Sequence, residues 1–178
     1  MITISQDITL TPITLQDQEE LFTLMCRIYP SAYGHYWKDG GSWYLNEQYS
    51  IDNLQRELNA KGSEYYFVRF HESVIGIFKI IQHCPYPPLP DYNAFKIHRV
   101  YLDPQTQGKG IGKALMAFAE GYAQDSGHNL VWLDAMDTHN QAQAFYKGLG
   151  YEKSKLQQLD FPLLYDENRP MWYMHKLL

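Results

Sequence analysis

The chain has 178 residues, of which 45% are hydrophobic and 20% charged, so it is long enough to bury a core and has the composition of a globular protein. Its formal net charge of −5 at pH 7 argues against nucleic acid or an anionic membrane as a partner, because both attract basic proteins. The N-terminus lacks a signal-peptide pattern and no apolar run reaches the ~20 residues of a membrane span, so we expect one cytoplasmic domain over residues 1–178.

The two cysteines, Cys26 and Cys84, are far apart in the chain. In a cytoplasmic protein they are expected to stay reduced and to pack as small hydrophobic side chains. His83 precedes Cys84, but no further ligands follow at the spacing of a zinc site, so the sequence predicts no metal centre.

The first half of the chain predicts a strand, two helices and a pair of strands. Alternating apolar residues in ITISQDITLTPI indicate the first strand. Helical spacing in LQDQEELFTLMCRIY and SIDNLQRELNAKG predicts two helices, capped by Asp17 and by Ser50 or Asp52. The run EYYFVRFHESVIGIFKII predicts two strands around a turn, and the prolines of CPYPPLPDYN exclude a central strand after them.

The second half of the chain alternates between strands and helices. The segments AFKIHRVYL and NLVWLDAM predict strands joined by the helix GKALMAFAEGYAQDSG, which makes the two strands parallel neighbours. A short helix, NQAQAFYKGLG, then precedes two closing strands, YEKSKLQQL and RPMWYMHKLL. The predicted fold class is therefore α/β (α+β), with a mixed central sheet of about seven strands flanked by about four helices.

The stretch QTQGKGIGKAL places three glycines where a strand becomes a helix. A helix N-terminus has unpaired N–H groups, and glycines there let a phosphate approach the backbone. A P-loop is excluded because it needs Gly at 107 and Ser or Thr at 114, where the chain has Gln107 and Ala114. The dinucleotide pattern G-x-G-x-x-G fails in both registers, which leaves Q/R-x-x-G-x-G/A, met by Gln107, Gly110 and Gly112.

Two segments carry a family resemblance. The segment RVYLDPQTQGKGIGKALM resembles the acetyl-CoA-binding signature of the GNAT acyltransferase superfamily. Downstream, NQAQAFYKGLGY resembles the family element A-x-x-x-Y-x-x-x-G-F/Y, with Ala142, Tyr146, Gly150 and Tyr151 in the matching positions. The resemblance extends over essentially the whole chain and implies a GNAT fold with splayed parallel strands 4 and 5 and acetyl-CoA as co-substrate. Within the superfamily, IHRVYLDP and YDENRPMWYMHKLL look most like PaiA-type polyamine acetyltransferases.

The resemblance also implies which residues hold the cofactor. In the family, backbone groups of the strand before the loop bind the pantetheine arm and the acetyl carbonyl, and loop N–H groups bind the pyrophosphate. A family asparagine that contacts CoA is replaced here by His139, with Asn140 beside it. Lys109 is equally explained as a solvated loop lysine. The implied set is Val100, Tyr101, Leu102, Gln107, Gly108, Lys109, Gly110, Ile111, Gly112, Lys113, His139, Asn140 and Tyr146.

Two catalytic roles follow from the resemblance. Tyr146 matches the family tyrosine that protonates the CoA thiolate, although an aromatic ring there is also explained as packing against the cofactor. Where many GNAT enzymes have a glutamate base, this chain has Lys96, which cannot act as a carboxylate. His98, on the same face by strand alternation, resembles the arrangement in serotonin N-acetyltransferase and is expected to be the base; a satisfied polar strand residue is the alternative.

The expected reaction is acetyl transfer from acetyl-CoA to a primary amine by direct attack in a ternary complex, with a polyamine-like small molecule favoured. An amino acid, an antibiotic amine, or a protein N-terminus or lysine remains open as the acceptor. A non-catalytic acyl-CoA-binding regulatory domain is the alternative from a different class, favoured by Lys96. Asp134 is predicted either to bind a cationic acceptor or to make a structural hydrogen bond. The aromatic stretch IYPSAYGHYWKDGGSWYL is predicted to wall the acceptor site or to pack in the core and in a homodimer.

Overall fold

A computed structural model describes all residues, 1–178, and contains one eight-stranded sheet with five α-helices. The strands are β1 (Ile2–Thr3), β2 (Ile8–Pro12), β3 (Ser63–Phe70), β4 (Ser73–Ile81), β5 (Ala94–Leu102), β6 (Leu130–Met136), β7 (Glu152–Gln158) and β8 (Pro170–Leu177). The helices are α1 (Gln18–Tyr33), α2 (Ser42–Gln48), α3 (Ile51–Asn59), α4 (Ile111–Asp125) and α5 (Asn140–Gly148). The predicted mixed α/β fold is confirmed, with one strand and one helix more than the sequence indicates.

The sheet has the strand order β1-β2-β3-β4-β5-β6-β8-β7, and β5 and β6 are its parallel pair. Their pairing covers only Ala94–Lys96 against Leu130–Trp132, although β5 continues to pair with β4 as far as Leu102. β6 likewise continues along β8 to Met136. The two parallel strands therefore part after Lys96 and Trp132, which leaves one backbone edge of each strand free.

Each face of the sheet buries its own hydrophobic core. The first core, on the face that α4 covers, contains Phe78, Ile97 and Leu115 among its members. The second core, on the face that α1, α2 and α3 cover, is rich in tyrosine and includes Tyr29 and Tyr44. The gap between β5 and β6 opens between these two cores. None of the five helices combines the length and apolar character needed to cross a bilayer.

Helix α2 is the element that the sequence does not predict. It lies inside the aromatic stretch and begins after Gly41, whose φ of 92° is in the left-handed region. The Asp39 side chain accepts hydrogen bonds from the backbone N–H groups of Gly41 (3.0 Å) and Trp43 (2.6 Å). The seven-residue helix is too short for periodicity to reveal it, and the Asp-Gly-Gly sequence directly before it is the signal that sequence analysis could have used.

The predicted N-cap residues of α1 and α3 differ in whether the side chain makes a capping hydrogen bond. Ser50 is confirmed as the N-cap of α3, because its hydroxyl accepts a hydrogen bond from the Asn53 N–H at 3.2 Å. Asp17 is confirmed as the N-cap residue of α1, although its side chain makes no capping hydrogen bond to that helix. Asp17 instead accepts from the N–H and hydroxyl of Thr14, both at 2.7 Å, in the 3₁₀ turn before α1.

A β-bulge interrupts β5 at His98. Lys79 of β4 pairs with Arg99, whereas the next residue of β4, Ile80, pairs with Ile97, which leaves His98 as the extra residue. As a result Ile97 packs in the first core, while Arg99 makes ion-pair contacts with α3 on the other side of the sheet. The period-two alternation that places Lys96 and His98 on one face therefore stops at this bulge.

Candidate active site

A cavity of about 320 Å³ lies where β5 and β6 part. His98 and Tyr146 both line it, so the fold brings the two predicted catalytic residues to one site. Val100 and Tyr101 of the predicted cofactor strand also line this cavity, whereas Leu102 packs against the first core. Aromatic side chains form much of the wall: Tyr29, Tyr33, Tyr36, Trp37, Tyr44, Tyr101 and Phe161.

The aromatic wall is tightly packed rather than open. The rings of Tyr29 and Tyr44 stack with centroids 4.8 Å apart, and Tyr33 meets Tyr101 edge-on at 5.3 Å. The Trp37 indole N–H donates to the Tyr29 hydroxyl at 3.0 Å. The aromatic stretch thus fills the second core, as predicted, and also forms one side of the cavity.

His98 is held as a neutral imidazole. Its Nδ1 is buried and has no hydrogen-bond partner in the protein. Burial lowers the pKa of His98 well below its ordinary value, and the positive charges of Arg99, Lys79 and Lys96 lower it further. A buried nitrogen without a partner is costly in a folded protein, so the arrangement suits a group that interacts with a bound molecule.

Tyr146 is held as a neutral phenol. Burial raises the pKa of Tyr146 to about 12, so the hydroxyl keeps its proton at neutral pH. Helix α5 places the side chain in the cavity wall, and Ala142, one turn earlier, lines the same cavity. Its ring is part of an aromatic cluster with Phe145 and Tyr151, with centroid distances of 5.3 and 6.1 Å. A protonated phenol at the end of the cavity is chemically a proton donor.

The glycine-rich loop is a backbone-lined cradle. The N–H groups of residues 108–113 donate to no other residue of the chain. Gly108 and Gly110 have φ values of 78° and 75°, the left-handed conformation that glycine adopts without strain, and α4 begins directly after Gly110. Free N–H groups at the start of a fifteen-residue helix attract an anion such as a pyrophosphate. The cradle therefore fits the phosphates of the cofactor that the sequence predicts.

His139 and Asn140, the two residues predicted to replace the CoA-contacting asparagine of the family, lie in different places. His139 is the N-cap of α5, because its Nδ1 accepts a hydrogen bond from the Ala142 N–H at 3.3 Å. Its ring also lines the cavity near Tyr33. Asn140 is exposed and lines a separate groove between α5 and β7. Only His139 therefore lies at the same cavity as Tyr146.

Lys96 and Asp134 form an ion pair beside the parting strands. Lys96 Nζ lies 2.7 Å from Asp134 Oδ2 and 4.0 Å from the centroid of the Trp132 ring. The Gln157 side-chain amide donates to Asp134 Oδ1 at 3.0 Å. Asp134 lines the cavity and Lys96 does not, so the carboxylate, rather than the ammonium, faces the site.

A second charged cluster adjoins the cavity and has no counterpart in the sequence analysis. The Glu57 carboxylate binds both the Arg99 guanidinium and the Lys79 ammonium, the latter at 3.0 Å. Arg99 also donates to Gln48 Oε1 at 2.7 Å, and Arg99 and Gln48 line the cavity. Burial lowers the pKa of Lys79 to about 8, and nearby Arg99 contributes in the same direction. The partners come from α2, α3, β4 and β5, so no local spacing predicts them.

Parallel strands that part beside a glycine-rich loop and a helix N-terminus are the arrangement that the resemblance to acyl-CoA-dependent transferases implies. Residues 20–151 match the acetyltransferase (GNAT) family, and the chain belongs to this family. The resemblance predicted from the loop and from α5 is therefore confirmed. Acetyl-CoA is the co-substrate of the family.

Curated proteins of similar sequence match only part of the chain. An N-acetyltransferase of Lactobacillus delbrueckii subsp. lactis is 29% identical over 107 residues, which are 60% of this chain and 62% of that protein. The N-alpha-acetyltransferase RimI of Mycobacterium tuberculosis is 25% identical over 105 residues, or 59% of this chain and 62% of RimI. The chain thus spans less than two thirds of the length of either relative.

Solved structures with a similar fold cover nearly the whole chain. The PaiA N-acetyltransferase of Thermoplasma acidophilum in complex with coenzyme A has a TM-score of 0.71 at 20% identity, over 97% of this chain and 100% of that one. The spermidine N-acetyltransferase of Vibrio cholerae in complex with CoA and spermine has a TM-score of 0.69 at 15% identity, over 97% and 96%. At these identities the likeness concerns the fold.

Proposed function

We propose that the protein transfers the acetyl group of acetyl-CoA to the primary amine of a small molecule, by direct attack in a ternary complex. The observation that carries the proposal is the cavity between β5 and β6, which His98 and Tyr146 line together. The experiment is to follow free-thiol release from acetyl-CoA across a panel of amines. A non-catalytic acyl-CoA-binding domain predicts CoA binding without thiol release for any amine. The expected cytoplasmic location and a homodimer remain predictions.

The cofactor is proposed to lie across the parting strands and the cradle. Its pyrophosphate accepts hydrogen bonds from the free N–H groups of residues 108–113, next to Gln107. Its pantetheine arm and acetyl carbonyl bind the free backbone edge of Val100, Tyr101 and Leu102, because β6 no longer pairs there. We assign the side-chain contact of the family asparagine to His139 rather than to Asn140, since His139 lines the cavity.

The reaction forms a bond from nitrogen to the acetyl carbon and breaks the bond from that carbon to sulfur. The sulfur leaves as a thiolate and takes the phenolic proton of Tyr146. The nitrogen loses a proton to His98, directly or through water, and that proton restores the phenol. For an amine that enters as an ammonium group, the net change is one amide, one free thiol and one proton released to solvent.

The lowered pKa of His98 bears on how the amine loses its proton. Both the imidazolium and the substrate ammonium are cations, so the charges of Arg99, Lys79 and Lys96 disfavour both. These cations therefore favour the neutral, nucleophilic amine, whereas the Asp134 carboxylate in the cavity wall favours the ammonium form. Because its pKa is lowered, His98 accepts the remaining proton only while the transition state forms.

Replacing His98 with alanine is predicted to lower kcat by roughly 10²-fold, the usual contribution of a general base. Added imidazole should restore part of the rate, because a free base can occupy the space that the side chain leaves. The measurement is thiol release with and without imidazole, and the matched control is His71→Ala in the turn between β3 and β4. A kcat that stays at the wild-type value, or that imidazole fails to raise, contradicts the role of His98 as the base.

Replacing Lys113 with glutamate is predicted to weaken CoA binding by about 10-fold or more at low salt, because it places negative charge beside the pyrophosphate cradle. The fold should be retained, since Lys113 is exposed and an acidic residue suits the first turn of a helix. Calorimetric titration with CoA measures the effect, and Lys61→Glu, an exposed site after α3, is the control. Equal affinities in the two variants would remove the cradle as the phosphate site.

The resemblance of the segments IHRVYLDP and YDENRPMWYMHKLL to PaiA-type enzymes favours a polyamine as the acceptor. Aromatic ring faces attract ammonium groups, and the cavity has many of them, which supports a cationic acceptor. The fold similarity to the PaiA and spermidine N-acetyltransferases is compatible with this acceptor. The charged side chains around the cavity do not favour it, because Arg99 opposes a second ammonium group. The panel must therefore include polyamines and acceptors of other charge.

A further inference from the structure

One positively charged and one negatively charged side chain face the cavity. Of all the arginine, lysine, aspartate and glutamate side chains, those that line the cavity are Arg99 of β5 and Asp134 of β6. The two histidines of the lining are neutral, because burial lowers the pKa of both His98 and His139. The counter-ions Glu57 and Lys96 lie behind the lining residues. A bound molecule therefore meets a guanidinium on one side of the strand gap and a carboxylate on the other.

The guanidinium side carries an excess of positive charge. One carboxylate, that of Glu57, binds two cations, Arg99 and Lys79, whose side chains are 5% and 3% exposed. The ring faces of Tyr49 and Tyr65 lie 5.7 and 5.9 Å from the Arg99 guanidinium carbon and offset only part of this charge. A buried positive charge without a full counter-ion favours an anionic group on the ligand.

On the β6 side of the strand gap, the Asp134 carboxylate is positioned to bind an ammonium group. Asp134 is held by Lys96 and Gln157 and keeps its position in the cavity wall. β6 carries it two residues beyond Trp132, where the pairing with β5 ends. A primary amine beside Asp134 is therefore at the opening between the strands, which is where the proposed reaction takes place.

We propose that the acceptor is a zwitterionic primary amine of the amino-acid class, whose carboxylate binds Arg99 and whose ammonium group enters beside Asp134. This inference rests on the proposed acetyltransferase function and names its substrate class. A polyamine satisfies Asp134 but places a second cation against Arg99, which costs free energy. The remaining wall is aromatic and aliphatic, so the side chain of the amino acid is uncharged and apolar.

The test compares each amino acid with its own decarboxylation product, because the two differ only in the carboxylate. Suitable pairs are phenylalanine with phenethylamine, leucine with isoamylamine, and ornithine with putrescine. Thiol release from acetyl-CoA gives kcat/KM for each member. We expect kcat/KM for each apolar amino acid to exceed that for its amine by about 100-fold or more, because a buried charge partner supports discrimination of this size.

Two substitutions assign the discrimination to its residues. Arg99→Gln is expected to bring the kcat/KM ratio of each pair close to one. Asp134→Asn is expected to lower kcat/KM for both members of a pair and to keep the ratio above one. Circular dichroism and thermal unfolding identify a variant that fails to fold. The kcat/KM ratios of the wild-type protein alone decide whether the amino acid or its amine is the better acceptor.

The outcomes separate this inference from the function on which it rests. Preference for the amino acids, lost in Arg99→Gln, supports the inference. Preference for the amines or for polyamines overturns it and leaves the acetyltransferase function intact. CoA binding without thiol release for every acceptor overturns the proposed function, and the inference with it.

Discussion

Replacing Tyr146 with phenylalanine is expected to lower kcat by about 10²-fold or more, because the CoA thiolate then leaves without its proton donor. Burial raises the pKa of Tyr146 to about 12, so the hydroxyl is protonated across the assay range and its loss is not masked by ionisation. The ring itself is retained, and the affinity for CoA should change by less than threefold. The measurement is kcat from thiol release together with Kd from calorimetric titration.

The matched control is Tyr151→Phe. The Tyr151 ring lies 6.1 Å from that of Tyr146, and its hydroxyl is buried without a hydrogen-bond partner. Removal of that hydroxyl should leave kcat near the wild-type value and should not lower stability. Equal losses of kcat in the two variants would indicate a packing effect, and an unchanged kcat in Tyr146→Phe would exclude the tyrosine as the acid.

The second large effect is on stability. Replacing Glu57 with glutamine is expected to lower the free energy of unfolding by about 3–5 kcal/mol at pH 7, because Arg99 and Lys79 then remain buried without their common counter-ion. For a chain of this size each kcal/mol corresponds to roughly 2–4 °C in Tm. Denaturant unfolding of the variant and of the wild type measures the difference.

The same carboxylate predicts a pH dependence of stability. Burial favours protonation of Glu57, but Arg99 and Lys79 outweigh it and hold the pKa of this carboxyl below its ordinary value. A carboxyl with a lowered pKa stabilises the folded state above its unfolded pKa of ~4.3, and this contribution is lost as the pH falls through the folded value. The stability difference between wild type and Glu57→Gln should therefore shrink in acid.

Lys79→Met is the control for the Glu57 substitution. It leaves the ion pair of Glu57 with Arg99 in place and removes a buried ammonium whose pKa burial has already lowered to about 8. Replacement of such a cation by an apolar side chain of similar length is expected to change stability by less than about 1 kcal/mol. A loss in Lys79→Met as large as that in Glu57→Gln would contradict the view that Glu57 is shared by two cations.

The sequence predicts most of the elements because their signals are local. Residues close together in the sequence determine the glycine loop, the helix after it and the caps of short helices. The loop pattern, for example, matches within one continuous segment. Ser50 illustrates this, since its capping bond spans three residues. Helix α2 shows the limit, because its seven residues make only about two turns, with the apolar ones consecutive at 43–45, and carry no usable period.

The charged part of the site is not predictable in the same way. Arg99 and Glu57 are 42 positions apart, and their contact depends on how α3 packs against the sheet. The bulge at His98 depends on a register shift against β4, which the sequence of β5 alone does not encode. Strand alternation therefore finds His98 as a site residue but cannot say that Arg99, next to it, faces the cavity as well.

The position of Lys96 acquires a physical explanation from its partner. A lysine where many family members have glutamate suggests a site without a base. In the folded chain this lysine binds Asp134 on the neighbouring strand at 2.7 Å, and the carboxylate faces the cavity. The negative charge is thus supplied by β6 instead of β5.

The most direct measurement is product analysis with acetyl-CoA labelled with ¹³C in its acetyl group. The protein is incubated with the labelled acetyl-CoA and with amino acids, their decarboxylated amines and polyamines, and the products are identified by mass spectrometry and NMR. The proposed function predicts a labelled amide on a primary amine and one free thiol for each amide formed, and the rates of both should fall together in Tyr146→Phe. CoA binding, seen as a rise in Tm, with no labelled amide from any acceptor would contradict it.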